Sequence, residues 1–172
     1  MFTSKPLLVR TARRLLTAMF CLVSTYNSHG YDRTNAPVQM TVQPDLSEGV
    51  HTGDLRVSVT NVSGVDLLFR SDYLPWEFNA GGIDFILYRE DGTVIAKTPL
   101  IADPIVRKPA LLKRGKQLTG RMSLLVYYSD LPTELALHDV KVKWSWLPRP
   151  NDLASTNILK GEFRLGKLTP SK

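Results

Sequence analysis

Cysteine is nearly missing from this 172-residue chain: Cys21 is the single one. One thiol cannot close a disulfide within the chain, and it cannot make a thiolate set for structural zinc. It follows Ala18-Met19-Phe20, and the bulky Phe20 suits a lipid-attachment signal poorly, so Cys21 reads as a small hydrophobe. Long apolar runs are missing too. The stretch 15–23 is nine residues long, against the roughly 20 a helix needs to cross a bilayer. There is no Walker A loop, no Rossmann fingerprint, no Gly-x-Ser-x-Gly elbow and no His-Glu-x-x-His pair, so the nucleotide, esterase and zincin chemistries built on those motifs have no foothold. His29, His51 and His138 are the only histidines and lack metal-ligand spacing. The expectation is no metal, no cofactor and no catalytic residue.

A strong charge of one sign is also lacking where it would matter. The formal net charge is +6, but Lys5, Arg10, Arg13 and Arg14 stand without an acid in residues 1–30, and residues 31–172 hold 18 Lys and Arg against 16 Asp and Glu. The folded part is almost balanced, so the high pI is no argument for nucleic-acid binding.

What is present begins with a basic segment, an apolar core at 15–23 and the small-residue site Ser28-His29-Gly30. That order is the pattern of a signal peptide, with cleavage before Tyr31. The chain therefore divides into a signal segment 1–30, a flexible lead-in 31–37, one domain 38–167 and a tail 168–172. The expected location is periplasmic or extracellular, with no transmembrane span left in the mature chain.

Alternation of apolar and polar residues then recurs. Leu55, Val57 and Val59 face one way and Arg56, Ser58 and Thr60 the other, the period of a half-buried strand. Val38, Met40 and Val42 precede it with the same period, and Val65, Leu67 and Phe69 follow it after a short turn, which predicts a hairpin of the second and third strands. Ile83, Phe85 and Leu87 lead into Asp91-Gly92, a strong hairpin signal, with a return strand expected at 93–97. Further strands are predicted at Leu112, at 118–126, at 140–146 and at 159–165, with one helical turn at most within 131–138. Seven to nine strands separated by turns predict an all-β, immunoglobulin-like antiparallel β-sandwich.

Two motifs strengthen this. Val57-Ser58-Val59-Thr60-Asn61-Val62-Ser63-Gly64 resembles the strand and turn V-x-V-T-N-x-(S/T)-(G/D) of secreted immunoglobulin-like sandwiches, and Leu112-Lys113-Arg114-Gly115-Lys116 with Leu118 and Leu124 is similar to the strand that follows in them. Leu74-Pro75 in the loop after the third strand is similar to the sandwich preceding the catalytic domain in deuterolysin-type metallopeptidases. The resemblance covers about residues 38–147 and implies a fold and a secreted life. It implies no peptidase activity, because the zinc motif is missing. His138-Asp139 also departs from the glycine those domains often carry before the penultimate strand.

Two stretches stand out as binding candidates. Tyr73, Trp76 and Phe78 form an aromatic loop; such rings anchor partners on loops or fold back to cap a sandwich, and capping is the preferred reading. Arg107, Lys108, Lys113, Arg114 and Lys116, with Arg121 beyond, form a basic stretch without an acid. It suits an anionic surface, or simply guards a sheet edge. Asp72, Glu77 and Asp84 flank the aromatic loop and raise the alternative of a small hydrolase near Trp76. Asn61-Val62-Ser63 is a glycosylation acceptor by pattern and a turn by context, and the turn is preferred. The functional expectation is an exported, non-catalytic module binding a protein or an anionic envelope component, with an inhibitor-like or prodomain-like module as a further alternative.

Overall fold

The computed structural model describes residues 36–45, 53–77, 82–99, 108–151 and 157–168. The expected signal segment, residues 31–35 of the lead-in, His51, Phe78, Arg107 and the end of the tail lie outside the described residues.

Among the described residues eight strands form: β1 (Val38–Pro44), β2 (Asp54–Asn61), β3 (Leu67–Arg70), β4 (Asp84–Arg89), β5 (Pro109–Leu112), β6 (Gln117–Ser123), β7 (Val140–Trp146) and β8 (Leu159–Leu165), with one α-helix, α1 (Leu131–Leu137), between β6 and β7. All pairings are antiparallel, in the orders β1-β2-β6, β3-β5 and β4-β7-β8. The fold is an all-β sandwich, as the alternation predicts. If β4 stands in the place of the third strand, β1-β2-β6 and β4-β7-β8 follow the A-B-E and C-F-G orders of an immunoglobulin sandwich. β5 departs from that plan by pairing with β3 rather than β6.

The periodicity of two places the core. Leu55, Val57 and Val59 of β2 are fully buried, and register puts Pro44 and Met122, Val42 and Gly120, and Met40 and Leu118 on either side of them. From the other sheet, Phe85, Leu87, Val140, Val142, Trp146 and Leu165 enter the same hydrophobic cluster. Each three-stranded sheet has one inward-facing glycine covered by an indole. A Cβ on Gly120 would lie 2.1 Å from Cδ2 of Trp76, and one on Gly161 would lie 2.4 Å from Cζ2 of Trp144. Interiors are close-packed, so each glycine makes the space that its indole fills.

Three local expectations need correction. β2 and β3 do not form a hairpin: β2 pairs with β1 and β6, and β3 with β5. Both edges of β2 are already taken, and Asn61, 1% exposed, braces the turn that carries the chain away. Its Nδ2 donates to the carbonyls of Val65 at 2.8 Å and Leu112 at 2.9 Å, and its Oδ1 accepts from the Ser63 N–H at 2.9 Å and the Ser63 hydroxyl at 2.6 Å. This closes the turn and ties it to β5, the partner of β3. Val65 is left outside the strand, 59% exposed. The turn reading of Asn61-Val62-Ser63 stands, since both Nδ2 hydrogens are engaged.

The second correction concerns the return strand after Asp91-Gly92, which shrinks to the single bridge Tyr88–Val94. The turn itself forms as expected: Gly92 takes a positive φ of 85°, and Asp91 accepts from the Thr93 N–H at 2.8 Å. Third, α1 spans seven residues, about two turns at 3.6 residues each, where at most one was expected. Buried Leu131 and Leu135 give it an apolar stripe at the i, i+4 spacing.

Candidate functional site

The aromatic loop leaves β3 through a 3-10 turn at Ser71–Tyr73. Asp72 is buried there and accepts from Arg70 at both Nε (3.1 Å) and Nη2 (2.6 Å). The same guanidinium lies 4.6 Å from the centre of the Tyr73 ring, and that of Arg149 lies 5.4 Å from it. Tyr73 thus contacts two cations, while its carbonyl accepts from the Trp146 indole N–H at 3.2 Å. Trp76 is half-buried on Gly120 against the core, the capping arrangement.

The basic stretch does not form one patch. Lys108 sits beside Ser71: its N–H donates to the Ser71 hydroxyl at 3.0 Å, and its carbonyl accepts from the Ser71 N–H at 2.7 Å. Lys113, Arg114 and Lys116 are exposed at the far end of β5, in a turn where Gly115 takes φ 65°. At ~3.3 Å per residue, Lys108 is roughly 15 Å from that turn. Asp66 holds the turn through the Arg114 N–H at 2.7 Å.

Two of the three loop carboxylates are engaged by separate cations. Asp72 is engaged by Arg70, and Asp84 is engaged by Lys97 on the outer face of β4. None of Asp72, Glu77 and Asp84 lines the cavity described below.

Register unites residues that local reading leaves scattered. The outer face of the β4-β7-β8 sheet is a grid of three rows: Tyr88, Lys141 and Arg164; then Ile86, Lys143 and Glu162; then Asp84, Ser145 and Lys160. Four cations stand against two acids. Lys141 bridges to Glu162 at 2.9 Å, and the Lys143 ammonium lies 5.0 Å from the centre of the Tyr88 ring. Ile86, 40% exposed, puts an apolar side chain in the middle row. Lys160 and Arg164 have no acidic partner among the described residues. The only sequence signal for this surface was the alternation of lysines along 140–146 and of charges along 159–165; the pairing that joins them is not local.

At the first row the face meets a cavity of about 240 Å³ lined by Arg89, Glu90, Asp139, Lys141 and Arg164. Arg89 is held by α1: its Nε and Nη2 donate to the two oxygens of Glu134 at 2.7 and 2.6 Å. Those bonds place the Glu134 carboxyl below the usual carboxylate range and raise the Arg89 guanidinium further. Hydrogen bonds from Thr93 lower Asp91 in the neighbouring turn. Deeper in, burial pushes the Tyr128 phenol up, and its hydroxyl donates to the Phe85 carbonyl at 2.7 Å.

No protein-family model matches the chain, and no curated protein matches it at a significant level.

Proposed function

We propose that this chain is an exported, non-catalytic β-sandwich module that binds an anionic component of the cell envelope through the outer face of its β4-β7-β8 sheet. The observation that carries the reading is the grid: Lys141, Lys143, Lys160 and Arg164 on β7 and β8 against Glu162 and Asp84, beside Tyr88 and Ile86 on β4. Strands about 4.8 Å apart, with same-face residues about 6.7 Å apart along each, hold the backbone positions of these cations within roughly 5 by 14 Å. An antiparallel sheet packs one face on the core and leaves the other open. A cationic face with an apolar margin on β4 suits a surface that offers anionic groups and some apolar contact. The basic segment 5–14 ahead of the apolar core 15–23 supports export.

Co-sedimentation of the mature chain with vesicles of anionic phospholipid and of neutral phosphocholine phospholipid tests this. The expected result is binding to the anionic vesicles alone, weakening as salt rises, and lost in the Lys143→Glu/Lys160→Glu variant. The Lys113→Glu/Lys116→Glu variant, altered at the turn, is expected to bind like the wild type. Binding that survives the first pair and fails with the second would move the site to the turn and refute the reading.

A further inference from the structure

The cavity beside the first row is peculiar in what it leaves unmatched. Lys141 and Arg164 are direct cross-strand partners, and like charges in that position repel. Lys141 turns diagonally to Glu162 at 2.9 Å. Arg164, with five N–H donors, finds no acid among the described residues. Arg89 already has its charge balanced by Glu134. On the acidic side, one oxygen of Asp139 accepts from the Lys167 N–H at 2.7 Å, which leaves the other open, and Glu90 is exposed with no hydrogen bond or ion pair among the described residues. One wall, on β7 and β8, therefore offers the unmatched Arg164 guanidinium beside Lys141, whose ammonium already meets Glu162. The other, at the end of β4 and the entry to β7, offers unsatisfied carboxylate oxygens.

A simple anion would meet Glu90 and Asp139, and a simple cation would meet Lys141 and Arg164. A molecule carrying both charges a few bonds apart satisfies both walls. We propose that this cavity binds a small zwitterion of the aminoethyl-phosphate class, with its oxyanion on Lys141 and Arg164 and its primary ammonium on Glu90 and Asp139. The volume of about 240 Å³ equals about eight water molecules at their ~30 Å³ share of the liquid, which suits a headgroup of that size. Charge-assisted hydrogen bonds at both ends set the specificity. A primary ammonium has N–H donors for the carboxylates, and a quaternary one has none. The site is part of the surface proposed above, and taking a lipid headgroup as its source rests on that reading; the chemistry of the free compound does not.

Amide chemical shifts in a ¹H–¹⁵N titration of the mature chain with soluble phosphoethanolamine, phosphocholine and inorganic phosphate test the site. Phosphoethanolamine is expected to shift Arg89, Glu90, Asp139, Lys141 and Arg164 saturably, and the other two compounds to bind more weakly. Arg164→Gln is expected to weaken phosphoethanolamine about tenfold or more. Glu90→Gln is expected to weaken it similarly while leaving inorganic phosphate unchanged or tighter. Equal binding of the three compounds, absence of saturable shifts, or an Arg164→Gln variant that binds like the wild type would overturn the proposal. Vesicles with phosphoethanolamine or phosphocholine headgroups at equal surface charge separate the lipid source from the free compound. Anionic vesicles held through Lys143 and Lys160, with no phosphoethanolamine shift, would remove the cavity site and leave the surface reading intact.

Discussion

Replacing Asn61 tests whether one side chain braces the turn that carries the chain away from β2. In Asn61→Ala the Leu112 carbonyl loses its buried donor at 2.9 Å, and the contacts to the Val65 carbonyl and to the Ser63 N–H and hydroxyl are lost in half-exposed surroundings. A buried polar group left without a partner costs about 1–3 kcal/mol, and each bond that water can replace about 0.5 kcal/mol, so the expected loss is about 3 kcal/mol. For a domain of this size that lowers Tm by about 10 °C. Asn61→Asp is expected to do worse at neutral pH. Its carboxylate can accept from Ser63, but its second oxygen faces two carbonyls to which it cannot donate. That repulsion and burial raise its folded pKa above the unfolded value of about 3.9. The folded state then binds the extra proton, so the variant is more stable at acid pH and loses stability as pH rises through the raised value. Urea unfolding followed by tryptophan fluorescence, at pH 4.5 and pH 7.5, measures both. An Asn61→Ala variant within about 1 kcal/mol of the wild type, or an Asn61→Asp variant more stable at the higher pH, would refute the hub role.

Gly120→Ala is expected to displace the Trp76 indole and destabilise by about 1–3 kcal/mol, with a red-shifted tryptophan emission; in a Trp76→Ala background the same change should be nearly neutral, and equal costs in both backgrounds would deny the contact. Glu134→Gln removes a carboxylate whose folded pKa lies below its ordinary 4.5. The wild type's Tm advantage should be full above that value and shrink as pH falls through the lowered one, and an advantage that does not shrink with acid would contradict the Arg89 pairing. Tyr128→Phe leaves the Phe85 carbonyl without its 2.7 Å donor and should cost about 1–3 kcal/mol by chemical denaturation, whereas no loss would mean that water or another donor replaces the hydroxyl.

The last two strands of the chain were the most legible part of the fold. β7 and β8 fall at 140–146 and 159–165, where alternation and flanking turn residues place them. The Asp91-Gly92 turn was equally plain. Pairing was harder, because β2 and β6 meet across some sixty residues and alternation fixes which face a residue takes, not which strand lies beside it. The β2–β3 hairpin was the natural local inference; both edges of β2 are already taken, and a buried asparagine braces the turn with a bond to the distant Leu112. The site followed the same rule. Lys113, Arg114 and Lys116 stay together because a turn holds neighbours in sequence. Lys108 separates from them because a strand intervenes. Lys141, Lys143, Lys160 and Arg164 become neighbours only through register. The seat of Trp76 on Gly120 was hidden for a like reason, since what the loop covers depends on where β6 lies.

The central claim is that the β4-β7-β8 face meets an anionic envelope surface, and paramagnetic broadening by spin-labelled anionic vesicles tests it residue by residue. The amides of Ile86, Lys143 and Lys160 are expected to broaden, while those of Thr41 and Ser58, on the other sheet, keep their intensity. Broadening centred on Lys113–Lys116 or on β1 and β2, with the β4-β7-β8 amides untouched, would contradict it.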